Sequence, residues 1–211
     1  MDANVRKRTL AMTQFALLLA LEAIVCFTPL GSIQFTPVLV ATLSHIPVIM
    51  AAILLGPAAG SAMGFFFGLF SFLVWSFTPP NPLAAFVFTP LHSPGNVWSL
   101  VVCFAPRILI GLVAGYSFKL FQRTFRFFDK VHVLSYCLSG LLGSMTNTIL
   151  VLGSIYIFFG PAYAAAYDVD FSLLLNILAG IVATNGLLEA AVAIVLTYGV
   201  CFPVKKILKQ Q

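Results

Sequence analysis

The fold of this chain is decided by its long apolar runs, and the clearest of them is VWSLVVCFAPRILIGLVAGYSF at residues 97–118. A helix of about 20 apolar residues crosses the hydrocarbon core of a bilayer. Arg107 is the single charged residue within this run. The whole chain of 211 residues is 61% hydrophobic and 8% charged, whereas a soluble domain carries about 25% charged residues. The sequence therefore predicts an all-α integral membrane protein.

Six apolar runs account for most of the chain and predict one membrane domain over residues 1–211. The predicted transmembrane helices are approximately 9–28, 38–55, 58–77, 97–118, 134–159 and 172–201. Apart from Arg107, every lysine and arginine lies in one of three clusters, at residues 6–8, 119–130 and 205–209. With six spans these clusters share one side of the membrane, and the positive-inside rule places both termini in the cytoplasm.

The second run has two possible structures. Residues 38–55 are apolar enough for one helix, but Ser44-His45-Ile46-Pro47 is typical of a helix start, with Ser44 as the cap. A helix beginning at Ile46 and ending near Gly56 would be only about 16 Å long. Residues 32–44 would then enter the protein as non-helical backbone, which is tolerated at membrane depth where protein covers it or where it lines a cavity.

We prefer the short second helix, which makes the first loop a wall or lid of a ligand cavity on the outer side. The segment 78–96 is rich in proline yet apolar, so it is expected to pack on the bundle and to cover such a cavity.

Arg107 is the costliest residue of the predicted spans, because it lies near mid-depth and requires an anion. Glu22 and Glu189 are the carboxylates available within the spans. One interpretation is an Arg107–Glu189 ion pair that only holds helices together. The other is that Arg107 binds the carboxylate of a ligand from outside through its planar fork, with Glu189 partly compensating its charge.

Three further polar residues are candidates for a binding site. Asn147 and Asn185 each lie about halfway along a span, where amides either join helices or line a polar pocket. Asn185 and Glu189 are four residues apart and share a helix face. His45, at the start of the second helix, is either a satisfied structural donor or a ligand contact.

Motifs for several other classes of protein are absent from the sequence. There is no phosphate-binding loop, no H-E-x-x-H zinc motif and no G-x-S-x-G elbow, so no catalytic residue, metal or cofactor is predicted. The short basic clusters do not indicate a nucleic-acid partner. A lipid-modifying enzyme would need a nucleophile and base, and a stand-alone secondary transporter would show inverted repeats; neither is evident.

Several motifs occur together in a characteristic order. They are Ser44-His45-Ile46-Pro47, then LGPAAG at 55–60, Gly64 with Phe67-Gly68-Leu69, and PRILIG at 106–111. In this set the chain resembles the substrate-binding S components of energy-coupling factor (ECF) vitamin transporters. The resemblance implies a multi-pass protein of the bacterial plasma membrane that captures a vitamin. A transmembrane T protein and two cytoplasmic ATPase subunits would then drive its import.

The resemblance also gives two sets of residues a role. Ala16 and Ala20 match an Ala-x-x-x-Ala patch that contacts the T protein in this family; from the residues alone, they could equally pack within the bundle. The chain looks most like the pantothenate-type branch. Arg107 would then bind the vitamin's carboxylate, while Asn147 and Asn185 bind its amide or hydroxyls. Folate, cobalamin and other carboxylate-bearing micronutrients remain alternatives.

Overall fold

The computed structural model describes residues 3–34, 40–125 and 132–209. Residues 35–39 of the first loop, with Arg126 and Lys130 of the second basic cluster, lie outside this part of the chain. The elements are α1 (Ala3–Phe27), β1 (Ser32–Gln34), β2 (Val40–Thr42), α2 (Ile46–Leu55), α3 (Pro57–Phe77), α4 (Ala85–Phe88), α5 (Val97–Thr124), α6 (Val133–Ala166), α7 (Phe171–Ile181) and α8 (Leu187–Lys209).

The predicted membrane class is confirmed. Within the described residues, five helical stretches are long and apolar enough to cross a bilayer, with α7 and α8 joined into one of them. A π-helical turn, Val182–Gly186, makes that junction. The only strands described are β1 and β2, an antiparallel pair in which Ser32 is opposite Thr42.

Helix α2 forms the centre of the bundle. Its residues from Ile46 to Ile53 are buried, and α1, α3, α5, α6 and α8 all pack against it. Its 10 residues give a length of about 15 Å, which confirms the short second helix. All-round burial explains its uniformly apolar sequence, because no face of it meets water or lipid.

The predicted cap of α2 is wrong. The capping position is His45, whose side chain makes no capping hydrogen bond. Ser44 Oγ instead donates to the Gly31 carbonyl oxygen at 3.2 Å, and that oxygen also accepts from the Leu43 amide at 2.9 Å. The serine hydroxyl closes the base of the first loop rather than the end of the helix, while Pro47 occupies the first turn as predicted.

A seam of glycines brings α3 and α5 close together. A Cβ atom at Gly64 would collide with the Arg107 carbonyl oxygen, and one at Gly111 would collide with the Gly60 backbone. Small residues spaced four apart allow such backbone contact between membrane helices. Because the seam reaches Arg107 itself, helix packing fixes the position of the buried arginine.

The segment 78–96 packs onto the bundle, as its composition predicted. All four residues of α4 are buried, and Ser99 Oγ of α5 donates to the Phe86 carbonyl at 2.7 Å. The Phe88 ring stacks on Trp75 of α3, with centroids 4.5 Å apart. This segment therefore covers one end of the bundle, and its Phe88 ring lies beside the Arg107 guanidinium.

We predict that Gly64→Ala destabilises the protein, because the added methyl must push α3 away from α5. Overpacking of this kind costs about 1–3 kcal/mol, which should lower the midpoint of thermal unfolding in detergent. Gly153→Ala is the matched control, since a Cβ atom at Gly153 meets nothing within 4 Å. Equal midpoints for the two variants would show that the close approach of α3 and α5 is not required.

Candidate ligand-binding site

Arg107 lies in the interior of α5 with only 5% of its surface exposed. The preceding Pro106 has no amide hydrogen, so the Val102 carbonyl oxygen does not receive the usual helical hydrogen bond. Arg107 Nη1 supplies one, donating to that carbonyl oxygen at 2.9 Å. The guanidinium carbon also lies 5.4 Å from the ring centre of Phe67 and 5.2 Å from that of Phe88. Backbone and aromatic faces thus hold the cation in place.

No carboxylate neutralises this guanidinium within the described residues. No Asp or Glu oxygen there lies within 4.0 Å of its nitrogens, and Arg107 Nε has no hydrogen-bond partner. A buried charge that lacks an opposite charge is expensive. The described part of the chain therefore supplies no anion to Arg107.

The partners of Glu189 differ from Arg107, the partner that the sequence suggested. Its Oε1 accepts from the Thr42 backbone amide at 2.9 Å and from the Thr42 hydroxyl. Its Oε2 accepts from Thr148 Oγ1 at 3.2 Å. The carboxylate joins β2 to α6 and α8, and the Arg107–Glu189 ion pair is not formed. With donors on both of its oxygens, Glu189 acts here as an anchor for the first loop.

His45 is completely buried, and neither of its ring nitrogens has a partner among the described residues. It is close enough to Arg107 to interact electrostatically. Buried polar side chains almost always have a hydrogen-bond partner in protein or ordered water. The structure therefore does not support the interpretation of His45 as a satisfied structural donor, and it places a second unsatisfied polar group near the guanidinium.

Asn147 and Asn185 lie on two elements that pack against each other, α6 and the π-helical turn. The side-chain oxygen of Asn147 on α6 is buried without a partner in the described part of the chain. Asn185 lies in the π-helical turn between α7 and α8, and its oxygen accepts from Thr184 Oγ1 at 3.4 Å. Such turns interrupt the regular ladder of helical hydrogen bonds and are common at functional sites.

The chain segment 42–45 connects these two groups of residues. At one end of it, Thr42 hydrogen bonds to Glu189 of the α6–α8 wall. At the other end, His45 precedes the first turn of α2. Helices α5, α6 and α8, which carry Arg107, Asn147 and Glu189, all pack against α2.

Sequence reasoning missed the partners that hold these residues. Thr42 and Glu189 are 147 residues apart, and no local pattern links them. The Val102 carbonyl, in contrast, is indicated by the sequence, because a proline inside a helix leaves free the carbonyl four residues earlier. Phe67 and Phe88 could not be distinguished from the many other phenylalanines of the chain.

Comparison with known proteins decides the family. Residues 10–201 match the family described as ECF transporter, substrate-specific component. The chain belongs to this family. The resemblance drawn from the motifs is thereby confirmed, and this substrate-specific component is a multi-pass membrane transporter subunit rather than an enzyme.

Two curated relatives are similar over most of this ECF component. It is 34% identical to the pantothenic acid transporter PanT of Lactococcus lactis subsp. cremoris over 164 residues, which cover 74% of this chain and 73% of the relative. It is 29% identical to the pantothenate transporter PanT of Leuconostoc mesenteroides subsp. mesenteroides over 205 residues, which cover 93% and 91%.

We predict that Glu189→Leu loosens the first loop of this ECF component. The half-buried Thr42 amide would lose its acceptor at a cost of about 1–3 kcal/mol, so amide exchange in residues 40–44 should accelerate by about fivefold or more. Hydrogen–deuterium exchange with mass spectrometry measures this. Glu22→Leu is the matched control, because Glu22 is an equally buried carboxylate that accepts from Cys26 of its own helix. Similar exchange in both variants would contradict an anchoring role for Glu189.

Proposed function

We propose that this substrate-specific component binds pantothenate at the outer face of the membrane for an ATP-driven ECF importer. The observation that carries the proposal is the buried guanidinium of Arg107, which has no carboxylate partner in the described residues. Pantothenate carries one carboxylate, one amide and two hydroxyls. Its carboxylate offers two acceptor oxygens to an arginine fork, and the printed names of the two relatives favour this vitamin.

The remaining polar residues suit the uncharged part of such a ligand. His45 and Asn147 have buried nitrogen or oxygen atoms without partners in the described residues. The Asn185 amide lies on the same wall as Asn147. In this proposal these three side chains bind the amide and hydroxyls. Glu189, predicted as a further ligand contact, acts indirectly by holding the first loop over the site.

The proposed topology has six membrane crossings, with both termini in the cytoplasm of a bacterial cell. Helix α2 and the non-helical segment before it form the short second crossing. Apart from Arg107, the described lysines and arginines lie at the start of α1 and the ends of α5 and α8. Asp168 and Asp170 lie at the opposite end of the bundle, between α6 and α7. This distribution agrees with the positive-inside rule.

The proposed partners are a transmembrane T protein and two cytoplasmic ATPase subunits. Helix α1 packs loosely on the bundle, and Glu22 is the only buried residue described in it. Ala16 and Ala20 are exposed on its surface. Two small residues four apart on an exposed helix face allow a partner helix to approach closely. The family's requirement for separate energising subunits agrees with the absence of a phosphate-binding loop in the sequence.

We predict that Arg107→Ala abolishes tight binding of pantothenate to the purified protein. Loss of one member of a buried charge pair costs about 2–5 kcal/mol, which corresponds to at least about a 30-fold weaker affinity. Arg107→Lys should bind with intermediate affinity because it keeps the charge without the fork. Isothermal titration calorimetry measures these affinities.

The control for this series is Arg123→Ala, which removes an exposed arginine at the far end of the same helix. It should leave pantothenate affinity unchanged. Wild-type affinity in Arg107→Ala would assign Arg107 a purely structural role and remove the main support for an anionic ligand.

We predict that Ala16→Trp and Ala20→Trp block uptake of pantothenate by cells while the purified variants still bind it. A bulky ring on α1 prevents close approach of the T protein, but it lies away from the polar residues of the site. Ile157→Trp is the control, since Ile157 is 73% exposed on α6. Normal uptake in the alanine variants, or equal loss in the control, would contradict docking at this patch.

A further inference from the structure

A cleft lies at the basic end of the bundle, away from Arg107. Its volume is about 260 Å³, and it opens where the end of α2 meets α5 and α8. Leu54 and Phe118 belong to its apolar wall, while Lys119, Gln122 and Lys205 supply its polar side chains. The proposed transport function makes no use of this cleft.

The polar side chains of the cleft favour an anion. Lys119 and Gln122 are three residues apart in the last turns of α5 and therefore share one side of that helix. Lys205 comes from α8, and its Nζ lies 4.2 Å from the centre of the Phe118 ring. Lys119 and Gln122 of α5 and Lys205 of α8 thus line the cleft from two helices, and none of the described residues in its lining carries a carboxylate.

The surroundings of the cleft match a lipid better than a free ion. Arg123 and Lys206 extend the basic surface beside it, and both are exposed. Leu109 and Tyr116 precede Lys119 on α5 and are 38% and 62% exposed. They form an apolar outer surface of this helix. Phosphate-binding groups at the end of an exposed apolar helix face fit a molecule with an anionic head and acyl chains. Basic pockets between membrane helices on the cytoplasmic side bind anionic headgroups in this way.

We infer that the cleft between α2, α5 and α8 is a binding site for an anionic phospholipid. Its phosphate lies between Lys119 and Lys205, and Gln122 donates to a phosphate oxygen. Its acyl chains lie along the exposed face of α5. The lipid fixes the basic end of the bundle at the headgroup level, next to the turn that joins α2 to α3. This inference does not depend on which vitamin the protein binds.

The test uses the full-length protein reconstituted with equal amounts of phosphatidylglycerol and phosphatidylcholine. Native mass spectrometry after mild extraction counts the lipids that stay bound. The wild-type protein should retain phosphatidylglycerol preferentially. The Lys119→Ala/Lys205→Ala variant should retain at least tenfold less of this lipid. Arg123→Ala/Lys206→Ala removes the same charge from the same end but outside the cleft lining, so it should lose much less of the retention than Lys119→Ala/Lys205→Ala.

Two further measurements test the inference, one with a variant of Gln122 and one with free phosphate. Gln122→Glu leaves both lysines in place but adds a carboxylate to the cleft, and it should also reduce retention of phosphatidylglycerol. Millimolar inorganic phosphate should not displace the lipid. Equal retention of the two lipids by the wild type, or equal loss in the two double variants, would overturn the inference. Displacement by inorganic phosphate would also overturn it, because it would indicate a site for free anions.

Discussion

The structure depends on how a guanidinium is held inside a bundle that offers it no carboxylate among its described residues. Arg107 donates to the carbonyl that Pro106 leaves free, and its cation lies between two phenylalanine rings. These contacts fix the position of the group, but neither supplies a negative charge. The resulting arrangement is a fixed cation in a setting of low dielectric constant, where an anionic ligand gains far more binding energy than it would in water.

The rest of the fold packs the short helix α2 beside α5, the helix that carries this cation. Five helices surround α2, so its start is buried at the level of the polar residues. Glu189 fixes the strand before it through the backbone and side chain of Thr42. Hydrogen bonds of Thr42, Leu43 and Ser44 thus hold the end of the first loop, and backbone that is held by a few hydrogen bonds opens more readily than helices of a core. A ligand site that must admit and then retain a vitamin is served by such a loop.

The sequence predicted some of these features because their signals are local. Apolar runs of sufficient length indicated the membrane helices, and Pro47 marked the start of α2. The cost of an arginine in an apolar run singled out Arg107. The Ser44 cap was wrong because the capping position is one residue later, at His45, while the Ser44 hydroxyl donates to the Gly31 carbonyl oxygen. The role of Glu189 depends on a contact over 147 residues, which neither composition nor helical spacing encodes.

The most direct measurement compares pantothenate with its alcohol analogue, in which a hydroxyl replaces the carboxylate, on the wild-type protein and on Arg107→Ala. If the guanidinium binds the carboxylate, the wild type should bind pantothenate at least about 30-fold more tightly than the alcohol. Arg107→Ala should bind both compounds with similar, weak affinity. Equal affinities of the wild type for the two compounds would contradict the account, because the cation would then have another purpose.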